Sequence, residues 1–526
     1  MKNTTTFAAI CLGFTVIYAA IQCDVVSEAV AGDPATTDVA AVFPGKQWAA
    51  STPEEQGMDS APLARLVESV GAYHYDSLTI VRHGRIVVDA YYAPYQANIS
   101  HDLRSVTKSI TGTLTAIEIA RGLLDGVDHK LLDIFLDKQV ANVDGNKKTI
   151  TVQNLLDMTS GFAWTETHYT PDETVMRMYE APDPTLFVLD QPMASAPGTK
   201  FFYNSGNPYL LSAIISRKTG QNAFGFAKKE LFGPLGITSA SWPRIDKQGV
   251  IDGEAGLSLS PHDMARIGYL YLHNGNWNGQ QIIPPSWVER AKSGSVPATF
   301  GLHYANLWWS LPEKGAFMAL GRHSQRIIVI SRLDIVAVLT GSLRDDASDY
   351  PLGRLTDELS DAVRSDQVLP HNPVATSLLA AAIRQAATEQ PSAVGTTPPL
   401  AKVISGKVFT IGDNAMRIKT FTLNFFDSDS SWEITTEPLN PNRPVQRFSG
   451  LMGLDGVYRK SPPAFYGINA ARGRWLSDHE FEIERRILGH SEVQFWRLDF
   501  DGDKVAVKFE NTDGYKQELH GVAATE

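Results

Sequence analysis

Leu103-Arg104-Ser105-Val106-Thr107-Lys108-Ser109-Ile110-Thr111-Gly112-Thr113-Leu114 is the stretch on which the reading of this chain turns. Ile110, Leu114, Ile117 and Ile119 follow at near-helical spacing and the run closes at Gly122, so a helix is expected to start at its polar end. Ser105 and Lys108 stand three residues apart, on one face of that helix, where the lysine nitrogen reaches the serine oxygen. A serine hydroxyl becomes an effective nucleophile when a neighbour takes its proton, and a lysine kept partly neutral by burial or cationic neighbours can do this. The first helical turn adds unpaired N–H groups that face developing negative charge. Ser105 is therefore the candidate nucleophile and Lys108 its base.

Working outward, the 526 residues are 43% hydrophobic and 20% charged, the profile of a soluble globular chain long enough for two domains. A net charge of −11 argues against a nucleic-acid or anionic-membrane partner. Residues 1–31 read as a secretory signal: Lys2, an apolar run over 7–20, and Ala29-Val30-Ala31 before Gly32. The apolar run is short for a membrane span, so a periplasmic or secreted enzyme with no stable membrane insertion after signal cleavage is expected. Cys11 and Cys23 both precede the cleavage site, leaving the mature chain without thiols or disulfides. Cys23 is the alternative, a lipid-anchor site, with bulky Gln22 where a small residue is expected before it.

The pattern along the chain predicts a helix over 62–70 and a hairpin of 78–81 with 86–92 around His83-Gly84-Arg85, then the Ser105 helix. The aromatic and charged stretch through Trp164, His168, Tyr169 and Tyr179 reads as a substrate lid or as a surface insertion. Helices are expected over 208–218, 265–272 and 352–363, with strands at 307–310, 317–320, 327–330 and 335–340. This order gives an α+β fold, an antiparallel sheet with helices on its faces and a helical insert, over residues 43–365. Residues 366–400 read as a helix and a Pro/Ser/Thr/Gly linker, and 401–526 as an all-β domain. In that domain 403–411, 417–426, 432–435, 481–487, 493–500 and 505–510 have strand character, and Asp499, Asp501 and Asp503 mark a hairpin turn rather than a calcium loop.

Serine-lysine chemistry needs a further group to carry protons to the leaving atom and a second oxyanion donor. Tyr203, a polar tip after the apolar strand-like Phe201-Phe202, is the candidate relay. At this point the sequence resembles the class C β-lactamase and penicillin-binding-protein-like serine hydrolases. The resemblance rests on Ser105-Val106-Thr107-Lys108, on Leu155-Leu156-Asp157-Met158-Thr159-Ser160-Gly161, and on Tyr203-Asn204-Ser205 where that family has Y-x-N. Phe232-Gly233-Pro234-Leu235-Gly236, residues 256–265 and the strand pair 321–341 add to it. It implies the β-lactamase/transpeptidase-like fold, with Ser105 acylated, Lys108 as its base partner and Tyr203 as proton relay. The Ser105 N–H would be one oxyanion donor and the Gln325 N–H the other, on a late strand where Gly321-Arg322-His323-Ser324-Gln325 departs from the family's Lys/His-Thr/Ser/Gly-Gly.

In this scheme Arg322 or His323 could bind a substrate carboxylate, Ser324 stands where glycine gives close approach, and Ser205 replaces an asparagine that holds the substrate amide. Both departures weaken the case for β-lactamase activity proper. The texture lies near the esterase, 6-aminohexanoate-dimer hydrolase and linearised-microcystin peptidase branches. A carboxylate anchor at Arg322 and His323 favours amide or peptide bonds in a small molecule or short peptide; a carboxylesterase, or a penicillin-binding protein acting by slow acylation, are the alternatives. Lys218-Thr219-Gly220 spells the family's third motif but ends a helix, where lysine and glycine are ordinary. The chain has no G-x-S-x-G, no H-E-x-x-H and no paired Cys/His spacing, and the proposed chemistry uses no metal or cofactor.

Overall fold

Several strands of the first half divide their side chains between two covered faces. In Ile335–Gly341, Ile335, Ala337 and Leu339 enter one core while Val336 and Val338 enter another. The same period of two splits Gln325–Ile330 into Ile328 and Ile330 against Ile327 and Val329. A sheet covered on both sides requires such continuous apolar runs, because neither face meets water. The structure, a computed structural model, describes residues 42–344, 349–426, 430–438, 444–464 and 467–524. The expected signal segment and both cysteines lie outside the described residues.

Six strands form the sheet's centre: β1 (Tyr75–Arg82), β2 (Arg85–Tyr91), β3 (Trp308–Leu311), β4 (Ala316–Gly321), β5 (Gln325–Ile330) and β6 (Ile335–Gly341). Their order is β2-β1-β6-β5-β4-β3, antiparallel throughout. Ala49–Ala50 extends the β2 edge in parallel, and His303–Ala305 and Val296–Pro297 extend the other edge. The β1–β2 turn is His83-Gly84, with φ of 48° and 71°, the doubly positive geometry that matches strand twist.

Helices α1 (Ser60–Ala72), α2 (Val106–Ala120), α3 (Gly206–Thr219), α4 (Pro261–Leu272), α5 (Leu352–Ala362) and α6 (Pro373–Ala386) flank it. α1, α5 and α6 cover one face; α2 and α4 cover the other, with α3 packed on α2. Ser260 caps α4 by accepting from the Asp263 N–H, with Pro261 in the first turn.

Every residue of α2 from Val106 to Glu118 is buried, so its hydroxyls must be satisfied internally. Ser109 donates to the Leu307 carbonyl at 2.6 Å, Thr111 to Gly253 at 2.7 Å and Thr113 to Ser109 at 2.7 Å. The first two bonds tie the helix to the segments beside it, and the third closes within the helix. Phe201-Phe202 is irregular rather than a strand: the Phe202 N–H bonds to the Met158 carbonyl at 2.8 Å, tying it to a loop and not to a sheet. Lys218 and Thr219 end α3, and Gly220 adopts the left-handed cap at φ 70°.

The C-terminal part is a ten-stranded antiparallel sheet curled into a near-barrel. Its strands are β7 (Val408–Ile411), β8 (Ile418–Asn424), β9 (Ser431–Thr436), β10 (Gln446–Leu451), β11 (Arg459–Lys460), β12 (Ile468–Trp475), β13 (Glu480–Leu488), β14 (Val493–Asp501), β15 (Lys504–Asn511) and β16 (Lys516–Ala523). The order is β10-β9-β8-β7-β16-β15-β14-β13-β12-β11, and a parallel bridge between Gly453 and Arg472 brings the two edges together. Trp496, Leu498 and Phe500 of β14 and Val505, Val507 and Phe509 of β15 point inward at the expected period. Asp501 pairs with Lys504 across a two-residue turn, which accounts for the acidic triplet. Residues 403–411 are not one strand, since Leu400–Ile404 is a short helix and β7 begins at Val408.

The near-barrel docks beside the nucleophile helix. The Asp102 N–H bonds to the Gly489 carbonyl at 2.7 Å, Tyr95 packs with Tyr458, Ala470 and Leu488, and Arg344 pairs with Glu510 at 2.6 Å.

Candidate active site

The chain enters α2 through a forced turn. Arg104 has φ 48°, a left-handed conformation that non-glycine residues rarely adopt. It is held there from three sides: its N–H bonds to Asp102 Oδ1 at 3.1 Å, Nε to Ser491 Oγ at 2.6 Å, and Nη2 to Asp513 Oδ2 at 3.2 Å. Ser491 and Asp513 belong to the C-terminal near-barrel. Ser105 then stands at the N-cap position of α2 without a side-chain capping bond, and Lys108 Nζ donates to its Oγ at 2.9 Å. Among the described residues the Ser105 N–H has no hydrogen-bond acceptor, so it is available to an incoming oxygen. Gly321, at the end of β4, presses against this turn: a Cβ there would lie 2.4 Å from the Leu103 carbonyl oxygen and 3.3 Å from the Ser105 nitrogen. Close approach of this strand to the nucleophile turn therefore requires glycine at Gly321.

Two carboxylates that the sequence reading did not single out surround the lysine. Lys108 Nζ donates to Glu254 Oε2 at 2.7 Å and to the Glu254 carbonyl at 3.1 Å, which with Ser105 uses all three of its protons. Lys108 is 1% exposed. Burial works to discharge it, but the charge of Glu254, followed by Tyr203 and Glu166, outweighs burial and holds its pKa well above the ordinary lysine value. The neighbours that the fold supplies are anionic and favour the ammonium form, against the neutral form that burial favours.

Glu166 accepts from the Ser205 N–H at 2.8 Å, from Trp164 Nε1 at 2.8 Å and from the Tyr169 hydroxyl at 3.3 Å. Burial raises its pKa and Glu254 adds to the rise, against the pull of Lys108. Ser205, expected to face substrate, is fully buried; its hydroxyl donates to Glu166 and lies 3.1 Å from Glu254 Oε2. Its hydroxyl stands between the two acids. The Tyr179 hydroxyl also donates to Glu254. The Tyr203 ring stacks on Trp309, centroids 6.0 Å apart, with Lys108 Nζ 5.1 Å from its own centroid. Ser105, Lys108 and Tyr203 are thus brought together.

Arg322, His323 and Ser324 do not extend the strand. They form the tight turn between β4 and β5, with Gly321 opposite Gln325 in the register. His323 and Ser324 both have positive φ, 61° and 74°. The Gln325 side chain is buried, donating to the carbonyls of Gly341 at 2.5 Å and His323 at 3.3 Å.

The carboxylate that Arg322 and His323 were expected to meet is already in the protein. Asp513, in the turn between β15 and β16, lies 3.1 Å from Arg322 Nη1 and 2.7 Å from His323 Nε2. His323 Nδ1 faces the Leu343 carbonyl at 2.6 Å, so both ring nitrogens face oxygen acceptors. Burial opposes the Asp513 charge, yet the His323 hydrogen bond and the charges of Arg104 and Arg322 hold its carboxyl well below the usual carboxylate range.

Arg104, Arg322 and Asp513 border a cavity of about 720 Å³. Ser105 and Glu254 lie on its wall, Tyr169 and Tyr179 of the expected lid stretch on another, and Asp513 and Tyr515 of the near-barrel on a third. The lid stretch therefore does line the pocket. Glu166 and Glu254 sit on irregular segments, and Asp513 lies about four hundred residues from Ser105 in a hairpin that reads as ordinary turn chemistry; only the fold brings them to one place.

A family model described as Beta-lactamase matches residues 63–358. Over 312 residues the chain is 24% identical to 6-aminohexanoate-dimer hydrolase of Paenarthrobacter ureafaciens, covering 55% of this chain and 78% of that protein. It is 26% identical over 196 residues to lovastatin esterase of Penicillium rubens, covering 33% of this chain and 46% of that one. A solved structure from Bacillus anthracis, provisionally named a 6-aminohexanoate-dimer hydrolase, superposes with a TM-score of 0.50 at 22% identity, covering 63% of this chain and 89% of that one. With more than half its length matched, and with the fold that the sequence implies, the chain belongs to the beta-lactamase family of serine hydrolases, enzymes acting on amide or ester bonds.

Proposed function

We propose that this enzyme opens an amide or ester bond through an acyl-enzyme on Ser105, with Lys108 as base partner, Tyr203 as proton relay and Glu254 as the group that stores the proton. The observation that carries the reading is the bond from Lys108 Nζ to Ser105 Oγ, 2.9 Å, at the head of a buried helix on the wall of the cavity. As an ammonium, Lys108 takes the serine proton only by giving up one of its own. Glu254 Oε2, 2.7 Å away, is placed to accept it. Ser105 attacks the carbonyl carbon, its proton passes to Nζ, and a proton of Nζ passes to Glu254.

The Ser105 N–H and the backbone at the β4–β5 turn face the oxyanion. As the tetrahedral intermediate collapses, Tyr203 protonates the leaving nitrogen or oxygen and is reprotonated from Lys108, which recovers its proton from Glu254. Water repeats the sequence on the acyl-enzyme. The relatives support both bond types, one named for an amide dimer and the other an esterase. The case for carboxylate-terminated peptides rested on Arg322 and His323, and Asp513 occupies both. The apolar run at 7–20 and Ala29-Val30-Ala31 support a periplasmic or secreted enzyme.

The test is mass spectrometry of wild type and Ser105→Ala, each incubated with short-chain esters, a cephalosporin, 6-aminohexanoate dimer and linear peptides of L- and D-residues. Ser105-dependent cleavage of any member is expected, with Ser105→Ala slower by orders of magnitude. Ser216→Ala, beside the motif that ends α3, should keep wild-type turnover. Adduct formation with the cephalosporin and no turnover would replace this reading with a binding protein. Equal turnover by Ser105→Ala would discard the nucleophile.

A further inference from the structure

One wall of the cavity is supplied by the near-barrel, through Asn511, Asp513, Gly514, Tyr515 and Lys516, and Asp513 is its anion. Arg104, Arg322 and His323 converge on it at 3.2, 3.1 and 2.7 Å. Two of the three flank the chemistry directly: Arg104 precedes Ser105, and Arg322 follows Gly321, the residue pressed against the Ser105 nitrogen. Three cationic or hydrogen-donating side chains around one carboxylate make the arrangement that recognises a carboxylate on a ligand. In this chain the carboxylate is built in.

The surrounding wall is mixed: beside aromatic and apolar side chains it carries His168, Arg244, paired with Asp252 at 3.6 Å, and Lys516, paired with Glu510 at 3.3 Å. The Arg322 guanidinium lies 4.6 Å from the centroid of the Tyr169 ring, and Met176, Tyr179 and Tyr515 complete that end of the cavity.

We infer that Asp513 is a specificity-determining residue, an internal carboxylate that fills the anion subsite beside Ser105, so that the substrate group reaching this end of the cavity is uncharged. This rests on the Ser105 reading above and narrows it. The favoured substrates are esters, blocked amides or interior peptide bonds, and the disfavoured ones carry a free carboxylate on the group that reaches this end of the cavity. A substrate carboxylate entering the subsite would have to displace Asp513 from its three partners, or sit beside it as a like charge in a partly buried site.

The experiment uses two pairs of probes that differ only in this group. 4-Acetoxybenzoate and 4-acetoxybenzamide are compared by kcat/KM, and 3-carboxyphenyl- and 3-carbamoylphenylboronic acid by calorimetric binding. Wild type is expected to favour the carbamoyl member of each pair at least tenfold. Asp513→Asn should shrink that ratio at least tenfold, because the subsite then lacks its anion. A wild type that prefers the carboxylate member, or a ratio that Asp513→Asn leaves unchanged, overturns the inference; the wild-type ratio decides alone if the variant does not fold. Ser105→Ala separates the two claims. If it abolishes boronate binding, the nucleophile stands whatever the ratio. If it binds both boronates with the ratio intact, the nucleophile falls and the subsite stands.

Discussion

Replacing Glu254 by Gln removes one charge and leaves an oxygen that still accepts from Lys108. In the wild type the pair is separated by 2.7 Å, with side chains 1% and 7% exposed. At an effective dielectric near 20 the bare attraction at that distance is about 6 kcal/mol, most of it offset by the desolvation of both ions. Removing one partner of a buried pair costs more than the pair's net worth, because the other charge is left behind, and here about 3 kcal/mol of stability is expected to be lost.

The sign with pH follows from Lys108. A lysine held above its ordinary value contributes stability that is fully present below that value and is lost only as pH rises through the folded value. The difference between wild type and Glu254→Gln, read by chemical denaturation, should therefore be constant from pH 6 to 8 and shrink toward strongly alkaline pH. Activity should follow a different course. Without its proton store the variant should lose about 10²–10³ in kcat/KM at pH 7. Because the carboxylate that holds Lys108 charged is gone, the neutral lysine becomes accessible at lower pH than in wild type. The variant should regain activity as pH rises above 8, over a range where wild type stays flat. A folded Glu254→Gln that keeps wild-type kcat/KM, or that loses it by one factor at every pH, would refute the proton-storing role and leave Glu254 as a structural counter-ion.

Gly321→Ala places a Cβ 2.4 Å from the Leu103 carbonyl, a backbone atom that cannot move without the nucleophile turn, so kcat should fall at least about 10²-fold while circular dichroism stays that of wild type. Wild-type activity in that variant would show that the turn has slack. Asp76, wholly buried near Arg486 and bonded to Ser342, has its pKa pushed up by burial to about 7, with Arg486 opposing. The folded state then holds a proton that the unfolded state releases near pH 4, so stability falls as pH rises between these values, by on the order of 4 kcal/mol. Asp76→Asn should flatten the decline in Tm between pH 4 and pH 7; an unchanged slope would assign that decline to other groups.

How far the sequence carried this reading depended on whether a feature was local. The serine-lysine spacing is a property of one helical turn, and α2 needed only Ser105 and Lys108 three apart for the 2.9 Å bond to follow. The same holds for the His83-Gly84 turn, the Ser260 cap and the two-faced β5 and β6. By contrast β10 and β12, with Gly450, Ala470, Ala471 and Gly473, have little strand propensity of their own and exist because neighbouring strands pair with them.

The charge state of the lysine was beyond local reading. Its neighbours in sequence are Thr107 and Ser109, whereas the groups that fix its proton, Glu166 and Glu254, arrive from irregular segments on other sides of the helix. Arg322 and His323 show the same limit more sharply. As sequence they are a cationic pair without a partner, and a substrate carboxylate was the simplest completion. In the fold, a residue from the last hairpin of the other sheet completes them first. A cation beside a catalytic serine therefore specifies a ligand only after the protein's own anions have been placed, and here the near-barrel supplies one. That converts a domain with no motif of its own into part of the active site: the same turn that fills the anion subsite also holds Arg104 in the left-handed conformation that aims Ser105.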